Sequence, residues 1–213
     1  GSSGSVTVEV GASGMGQGGD IVVSAGSSSN DVGGSVRVMS GRSMAAPSGS
    51  VVVQSADGTG TGGSGIVRVS TGSSTSRDSG AVELASGKSS GGRAGDVAVQ
   101  VGDSMGPGST GGDVIVQAGS SAGDKTEGGA VQISSGASHD GGSGHINLVS
   151  ANADAGGVSG DVRLTSGASS TGPSGEVVVA TGNSHVGSSG NITLAVGAGK
   201  DGNGGDISVS AGK

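Results

Sequence analysis

The sequence predicts an all-β protein, a parallel β-solenoid of about 14 coils with no helices. Three observations predict it: a repeat of 15 to 17 residues along the whole chain, β-branched residues at alternate positions, and glycine at 51 of the 213 positions. Alternation with period two is typical of strands, and each glycine would cost a helix about 1 kcal/mol relative to alanine. A strand that recurs at fixed spacing is most simply accommodated in stacked coils.

Each repeat begins with a glycine, and we count positions from that glycine. Nine of the thirteen complete repeats have 15 residues, two have 16 and two have 17. No composition shift divides the chain, so we expect one continuous array over residues 1–213, cut from a longer repeat protein. Residues 1–3 fit either the end of a preceding repeat or a cloning remnant. The repeats start at Gly4, Gly19, Gly34, Gly49, Gly65, Gly80, Gly95, Gly112, Gly129, Gly144, Gly160, Gly175, Gly190 and Gly205.

The first half of each repeat predicts one strong strand. Position 3 is Val or Ile in all fourteen repeats, position 5 is Val, Leu or Ile, and position 7 is Val, Ala, Ser or Thr. These three positions share one face of a strand over positions 2–7. Position 8 is Gly in twelve repeats and Ala in two, which predicts a turn. A meander of two-residue hairpins would alternate strand direction, whereas here the same strand recurs after a Gly- and Ser-rich stretch.

The second half predicts a weaker return strand and a loop edge. Position 10 is Ser in ten of thirteen repeats, and we expect these small side chains to face the Val/Leu ladder. The resulting Val/Leu/Ser core would be thin, which fits the absence of aromatic residues. The repeats vary in length after position 10, as in 106–110 and 123–127, and such variation is typical of loops. All three prolines lie at positions 13 or 14, outside the predicted strands, where the missing amide hydrogen removes no hydrogen bond of the sheet.

Composition excludes several function classes. The net charge of −7, with no Phe, Tyr or Trp, argues against a nucleic-acid surface. No apolar run approaches the ~18 residues of a membrane span. The absence of cysteine excludes thiol catalysis and cysteine zinc sites. Residues 58–63 satisfy G-x-G-x-x-G, but no helix is predicted after them. We therefore expect that the protein is not an enzyme and binds no cofactor.

Acidic residues at position 2 are the candidate ion ligands. Asp96 and Asp113 occupy successive coils, where their like charges would stack about 4.8 Å apart and a calcium ion would relieve the repulsion. The alternative is that these carboxylates accept hydrogen bonds from turn amides. His139 and His185 share a position but lie three coils apart, too far to share a metal ion.

The outward position 4 gives a candidate contact face. Val22, Val52, Ile115 and Val178 point outward there and would pack against another rod, or else remain solvated. Ice binding would need regular rows of Thr side chains on this face, whereas charged residues interrupt position 4. Asn191 begins the only N-x-S/T sequon and is a possible glycosylation site.

The repeat resembles the Gly/Ser-rich β-solenoid arrays of secreted adhesins and surface filaments, on the pattern of residues 112–121, Gly-Asp-Val-Ile-Val-Gln-Ala-Gly-Ser-Ser. The resemblance implies an extracellular or cell-surface structural role. We expect a stiff rod or filament that self-associates end to end and laterally and can serve in adhesion. The alternative is a binding module that binds calcium, carbohydrate or ice on one flat solenoid face or on its loop edge.

Overall fold

The computed structural model describes residues 3–123, 126–154 and 156–212. Neither a helix nor a β-strand forms in these ranges. The predicted all-β solenoid is therefore wrong, both for the strand at positions 2–7 and for the weaker strand around position 10. The structure divides into two units, Gly1–Met105 and Gly106–Lys213. Each unit is built from unbent segments that are joined by short bends.

The bends keep the register of the sequence repeat. Wherever a full bend is described it covers positions 11–13, so positions 2–10 of each repeat run without a turn. Two repeats place a tight turn in the same region, at 60–61 and 107–108. The bends lie at 14–16, 29–31, 44–46, 75–77, 90–92, 139–141, 170–172, 185–187 and 200–202.

In four repeats the second half closes on itself as a loop. The amide of Gly34 donates to the carbonyl of Gly26 at 2.9 Å, which joins position 1 of one repeat to position 8 of the repeat before it. The same bond, also at 2.9 Å, closes the loops 41–49, 119–129 and 136–144. The loop 119–129 belongs to a 17-residue repeat, so the two extra residues are absorbed without changing the closure.

In four repeats this closure uses a backbone amide that a ladder between successive repeats would need. In a solenoid, the amide of position 1 would bond to the neighbouring coil about 15 residues away. The amides of Gly34, Gly49, Gly129 and Gly144 bond across their own loops instead. Among the described residues, the remaining backbone-to-backbone bonds lie within turns, Ser109 to Gly106 and Gly157 to Asp154, both at 3.0 Å. Within residues 3–123, 126–154 and 156–212, no backbone hydrogen bond connects positions 2–7 of one repeat with another.

Most of the position 1 glycines lie against the position 7 side chain of the preceding repeat. A Cβ added at Gly34 would lie 3.2 Å from Cβ of Ala25, and one added at Gly19 would lie 2.7 Å from Cγ1 of Val10. Eleven of the position 1 glycines show this approach. A side chain at position 1 would be crowded at four of them, where the distance is 2.7–3.3 Å, and would make an ordinary contact of 3.4–3.7 Å at the other seven. The eleven are Gly19, Gly34, Gly49, Gly65, Gly80, Gly129, Gly144, Gly160, Gly175, Gly190 and Gly205.

The serine at position 10 caps the bend rather than facing a core. Its Oγ accepts a hydrogen bond from the backbone amide three residues on, as between Ser28 and Asp31 at 3.0 Å and between Ser74 and Arg77 at 3.2 Å. This is the local side chain to backbone pattern of Ser turns. The same bond is made by Ser13, Ser28, Ser43, Ser74, Ser89, Ser138 and Ser169.

We expect Ser74→Ala to loosen its bend. The substitution removes the acceptor of the Arg77 amide, and an exposed hydrogen bond of this kind contributes about 0.5–1.5 kcal/mol. Amide hydrogen exchange at Arg77 should accelerate roughly two- to tenfold, as measured by NMR. Ser104→Ala is the matched control, because position 13 of that repeat is Pro107, which has no amide hydrogen to donate. Equal changes in amide exchange rate around Ser74 and around Ser104 would contradict the capping role of Ser74.

No side chain of the described residues is buried. The chain exposes 21131 Å², whereas a folded globular monomer of 19.3 kDa exposes about 8,500 Å². Three described residues are half-buried, Ser55, Ala118 and Ser150, and all three are at position 7. The loop closure is thus the most enclosed part of each repeat, and the aliphatic residues of positions 3 and 5 lie outside it.

Candidate association surface

The exposed aliphatic residues at positions 3 and 5 are the most regular chemical feature of the surface. All fourteen side chains at position 3 and all fourteen at position 5 are exposed. Both positions lie in the unbent segment that precedes the loop closure. Monomeric soluble proteins rarely expose apolar surface this regularly, and large exposed apolar patches mark interaction sites. We call these 28 side chains the aliphatic pairs.

Neighbouring repeats within one unit cover the aliphatic pairs only in part. In Gly1–Met105, Val6 is 95% exposed, whereas position 3 of the later repeats is 51–58% exposed. In the later repeats, the described loop that precedes position 3 covers part of that side chain. In Gly106–Lys213, Val209 is 92% exposed, whereas position 5 of the earlier repeats is 67–77% exposed. Contacts between repeats therefore leave 47% or more of each of these side chains open to solvent.

The four residues of the predicted contact face are all exposed: Val22, Val52, Ile115 and Val178. The flat sheet that was expected to align them is absent from the described residues. They lie at position 4, between the two members of an aliphatic pair. Their role in lateral contact stays a prediction, and it rests now on exposure rather than on a shared sheet.

Two acidic residues at position 2 are ion-paired with arginine. Asp96 Oδ1 lies 2.7 Å from an Nη atom of Arg93, and Asp161 Oδ2 lies 2.6 Å from one of Arg163. Both pairs are exposed, so each contributes at most about 1 kcal/mol. The pair with Arg93 neutralises one of the two predicted calcium ligands.

The calcium prediction for Asp96 and Asp113 depended on stacked coils. The described residues form no stacked coils, so the prediction has no structural basis. Asp113 is exposed. In the part of the chain that the structure describes, no cluster of three or more His, Asp or Glu side chains has the arrangement of a metal site. His139 lies 3.9 Å from Asp140 in an exposed bend. Asn191, the predicted glycosylation site, is exposed at the start of an unbent segment.

Two further surface features bear on function. No pocket opens among residues 3–123, 126–154 and 156–212. Within the same ranges, no helix has the length and apolar character that a membrane crossing needs.

Sequence reasoning missed the two contacts that shape each loop. One is the Ser cap, which the Ser at position 10 and a donor three residues later could have indicated. The other is the approach of position 1 to position 7, which the invariant glycine and the small residues at position 7 could have indicated. In two of the three repeats that lack Ser at position 10, that residue is a glycine whose backbone lies close to a carbonyl oxygen of its own loop. A Cβ at Gly58 would lie 2.6 Å from the carbonyl oxygen of Gly62, and one at Gly199 would lie 3.0 Å from that of Gly202.

The comparisons with known proteins give no relative: no family model, no curated protein and no solved structure matches the chain.

Proposed function

We propose that the chain is a structural protein of an extracellular filament, assembled by association of copies and available for adhesion. One observation carries the proposal: fourteen repeats present the same aliphatic pair, and every one of these side chains is exposed. Burying a Val, Leu or Ile side chain contributes about 1.5–3 kcal/mol. A chain that buries none of them alone has most of this free energy left for contacts between molecules.

The strength of such a filament would lie between copies. The axial ladders expected from the sequence are absent within the described residues, so they cannot carry load inside one chain. The extracellular location rests on the resemblance of the repeat to secreted adhesin and filament arrays. We propose no catalytic role, since the candidate surface consists of aliphatic side chains and offers no convergent acid, base or nucleophile.

The binding-module alternative has lost its main support. It required one flat solenoid face or a regular loop edge on which calcium, carbohydrate or ice would bind. The described residues contain no such sheet, and Asp96 is paired with Arg93. No observation favours this alternative over association.

Sedimentation velocity over a dilution series from about 100 μM to about 1 μM tests the proposal. The average mass should rise with concentration above the 19.3 kDa of one chain. Electron microscopy of the concentrated samples should show elongated assemblies. A mass that stays at one chain throughout this range would overturn the proposal. Discrete particles of fixed size would favour a closed oligomer over a filament.

A further inference from the structure

We infer that filament growth begins at two segments, residues 50–56 and 146–153, each of which stacks on the same segment of another copy. The copies lie parallel and in register there, as in cross-β fibrils, in which strands of many copies stack along the fibre axis. This inference rests on the proposed function and names the segments and the geometry that join the copies. Each segment lies within one unit, 50–56 in Gly1–Met105 and 146–153 in Gly106–Lys213, and can stack by itself. We call them the joining segments.

The absence of charge distinguishes the repeats that can stack in this way. An in-register stack places every side chain against its own copy in the next layer, about 4.8 Å away, so a charged residue would repel itself throughout the stack. Ten of the fourteen repeats carry Asp, Glu, Lys or Arg within positions 2–7. The four that carry none begin at Gly49, Gly129, Gly144 and Gly190. Only these four can stack in register without such repulsion.

The absence of glycine selects two of these four repeats. Two of them have glycine at position 8, and glycine weakens a strand at its position. The other two have alanine there, Ala56 and Ala151, and they are the repeats that contain the joining segments. Residues 50–56 and 146–153 are therefore runs of seven and eight residues without glycine, proline or charge. Such runs reach the six or seven residues that are typical of cross-β segments.

The backbone of both joining segments is free to pair with another chain. Among the described residues, no amide or carbonyl of 50–56 or 146–153 makes a backbone hydrogen bond. The repeats that contain them also lack the loop closure, and the four closing bonds all accept at a glycine of position 8. Unpaired amides and carbonyls on an apolar segment are a template for another chain. Each added copy offers a new free edge, so growth continues as a filament and does not end at a dimer.

The side chains of the joining segments suit identical neighbours. Residues 51–53 are three valines, each at least half exposed, and valine favours strands. Ile146 and Leu148 are the aliphatic pair of the second segment, and both are at least half exposed. Stacked on their own copies, Gln54 and Asn147 would form ladders of hydrogen bonds between side-chain amides.

The other repeats leave room for layers this close. Layers about 4.8 Å apart require the repeats on either side of a joining segment to spread away from the stack. No side chain of the described residues is buried, so this spreading disrupts no packed core. The charged repeats then surround the stacks, where their aliphatic pairs add contacts between copies that are already joined.

Spin labelling tests the stack in the full chain, which has no native cysteine. Val52→Cys and Asn147→Cys each place one nitroxide at position 4 of a joining segment. In an in-register stack the labels lie about 4.8 Å apart, and spin exchange merges the separate lines of the electron paramagnetic resonance spectrum into one. The matched controls at position 4 are Ala98→Cys, in a repeat that carries Asp96, and Thr193→Cys, in a repeat with glycine at position 8. An excess of unlabelled chain should restore the separate lines.

We expect a merged line at the sites of Val52 and Asn147 and separate lines at the sites of Ala98 and Thr193. Separate lines at Val52 and Asn147, in samples that electron microscopy shows to be filaments, would overturn the stack and leave the proposed function standing. Merged lines at all four sites would overturn the selection of the joining segments. Chains that stay single in sedimentation would overturn both the inference and the proposed function.

A charged double variant gives a second measurement. Val52→Glu with Asn147→Glu puts one carboxylate in each joining segment and should delay the appearance of filaments at least about tenfold in light scattering. Ala98→Glu with Thr193→Glu adds the same charge outside the joining segments and should delay it by less than about threefold. Equal delays would overturn the role of the joining segments in the start of growth.

Discussion

Replacing both Val177 and Val179 by aspartate should weaken association by about a hundredfold. These residues form the aliphatic pair of the Gly175 repeat, and both are exposed in the single chain. Their partial burial between copies contributes roughly 3 kcal/mol, which corresponds to a factor of about a hundred in Kd. Two carboxylates in an apolar contact add a desolvation penalty. Sedimentation equilibrium of the variant and the parent protein measures the change.

Val186→Asp is the control for this double substitution. Val186 lies in the same repeat, at position 12 of the loop, and its side chain is 96% exposed. It adds a like charge to the same repeat without touching an aliphatic pair, so association should change by less than about threefold. Comparable losses in both variants would mean that negative charge, and not the aliphatic pair, governs association.

Raising the ionic strength from about 10 mM to about 150 mM should strengthen association roughly tenfold, because the Debye length falls from about 30 Å to about 8 Å. Each copy carries a net charge of −7, so two copies repel each other at low salt. Contacts between aliphatic side chains are not weakened by salt. Light scattering over a sodium chloride series measures the effect.

Calcium chloride at matched ionic strength is the control for the salt series. If charge screening alone acts, calcium and sodium should give the same curve. A further gain with calcium that Asp113→Asn abolishes would support the predicted ligand role of Asp96 and Asp113. Weakening of association by salt would contradict the aliphatic contact and indicate that ion pairs hold the copies together.

The sequence predicted the repeat and the region where loop length varies, but not the placement of the bends. The turn expected at position 8 is absent from the described residues, and the bends lie at positions 11–13 in both units. The variable region was predictable because its residues act locally: glycine, serine and proline act through their own backbone and their nearest neighbours. The aliphatic residues at positions 3 and 5 were identified as the regular apolar feature of the chain, but the prediction that they form a buried core was wrong, since all of them are exposed.

The partner of each segment was not predictable in the same way. Alternation with period two shows that one face of a segment is apolar, but it does not show what covers that face. The amide of Gly34 could bond to a neighbouring coil or across its own loop, and both fit the sequence pattern. The structure shows the second arrangement. Serine at position 10 was ambiguous in the same way, since a small side chain suits a thin core and a bend cap equally well.

Closure by two glycines, which is present in four loops, makes those loops tolerant of changes in length. The 119–129 loop, in a 17-residue repeat, closes with the same 2.9 Å bond as the loops of 15-residue repeats. Residues gained or lost inside such a loop would therefore leave the phase of the segments on either side unchanged. A repetitive gene that slips by a codon or two would therefore still encode the same succession of apolar contacts, and natural variation would accumulate in loop length rather than in the segments.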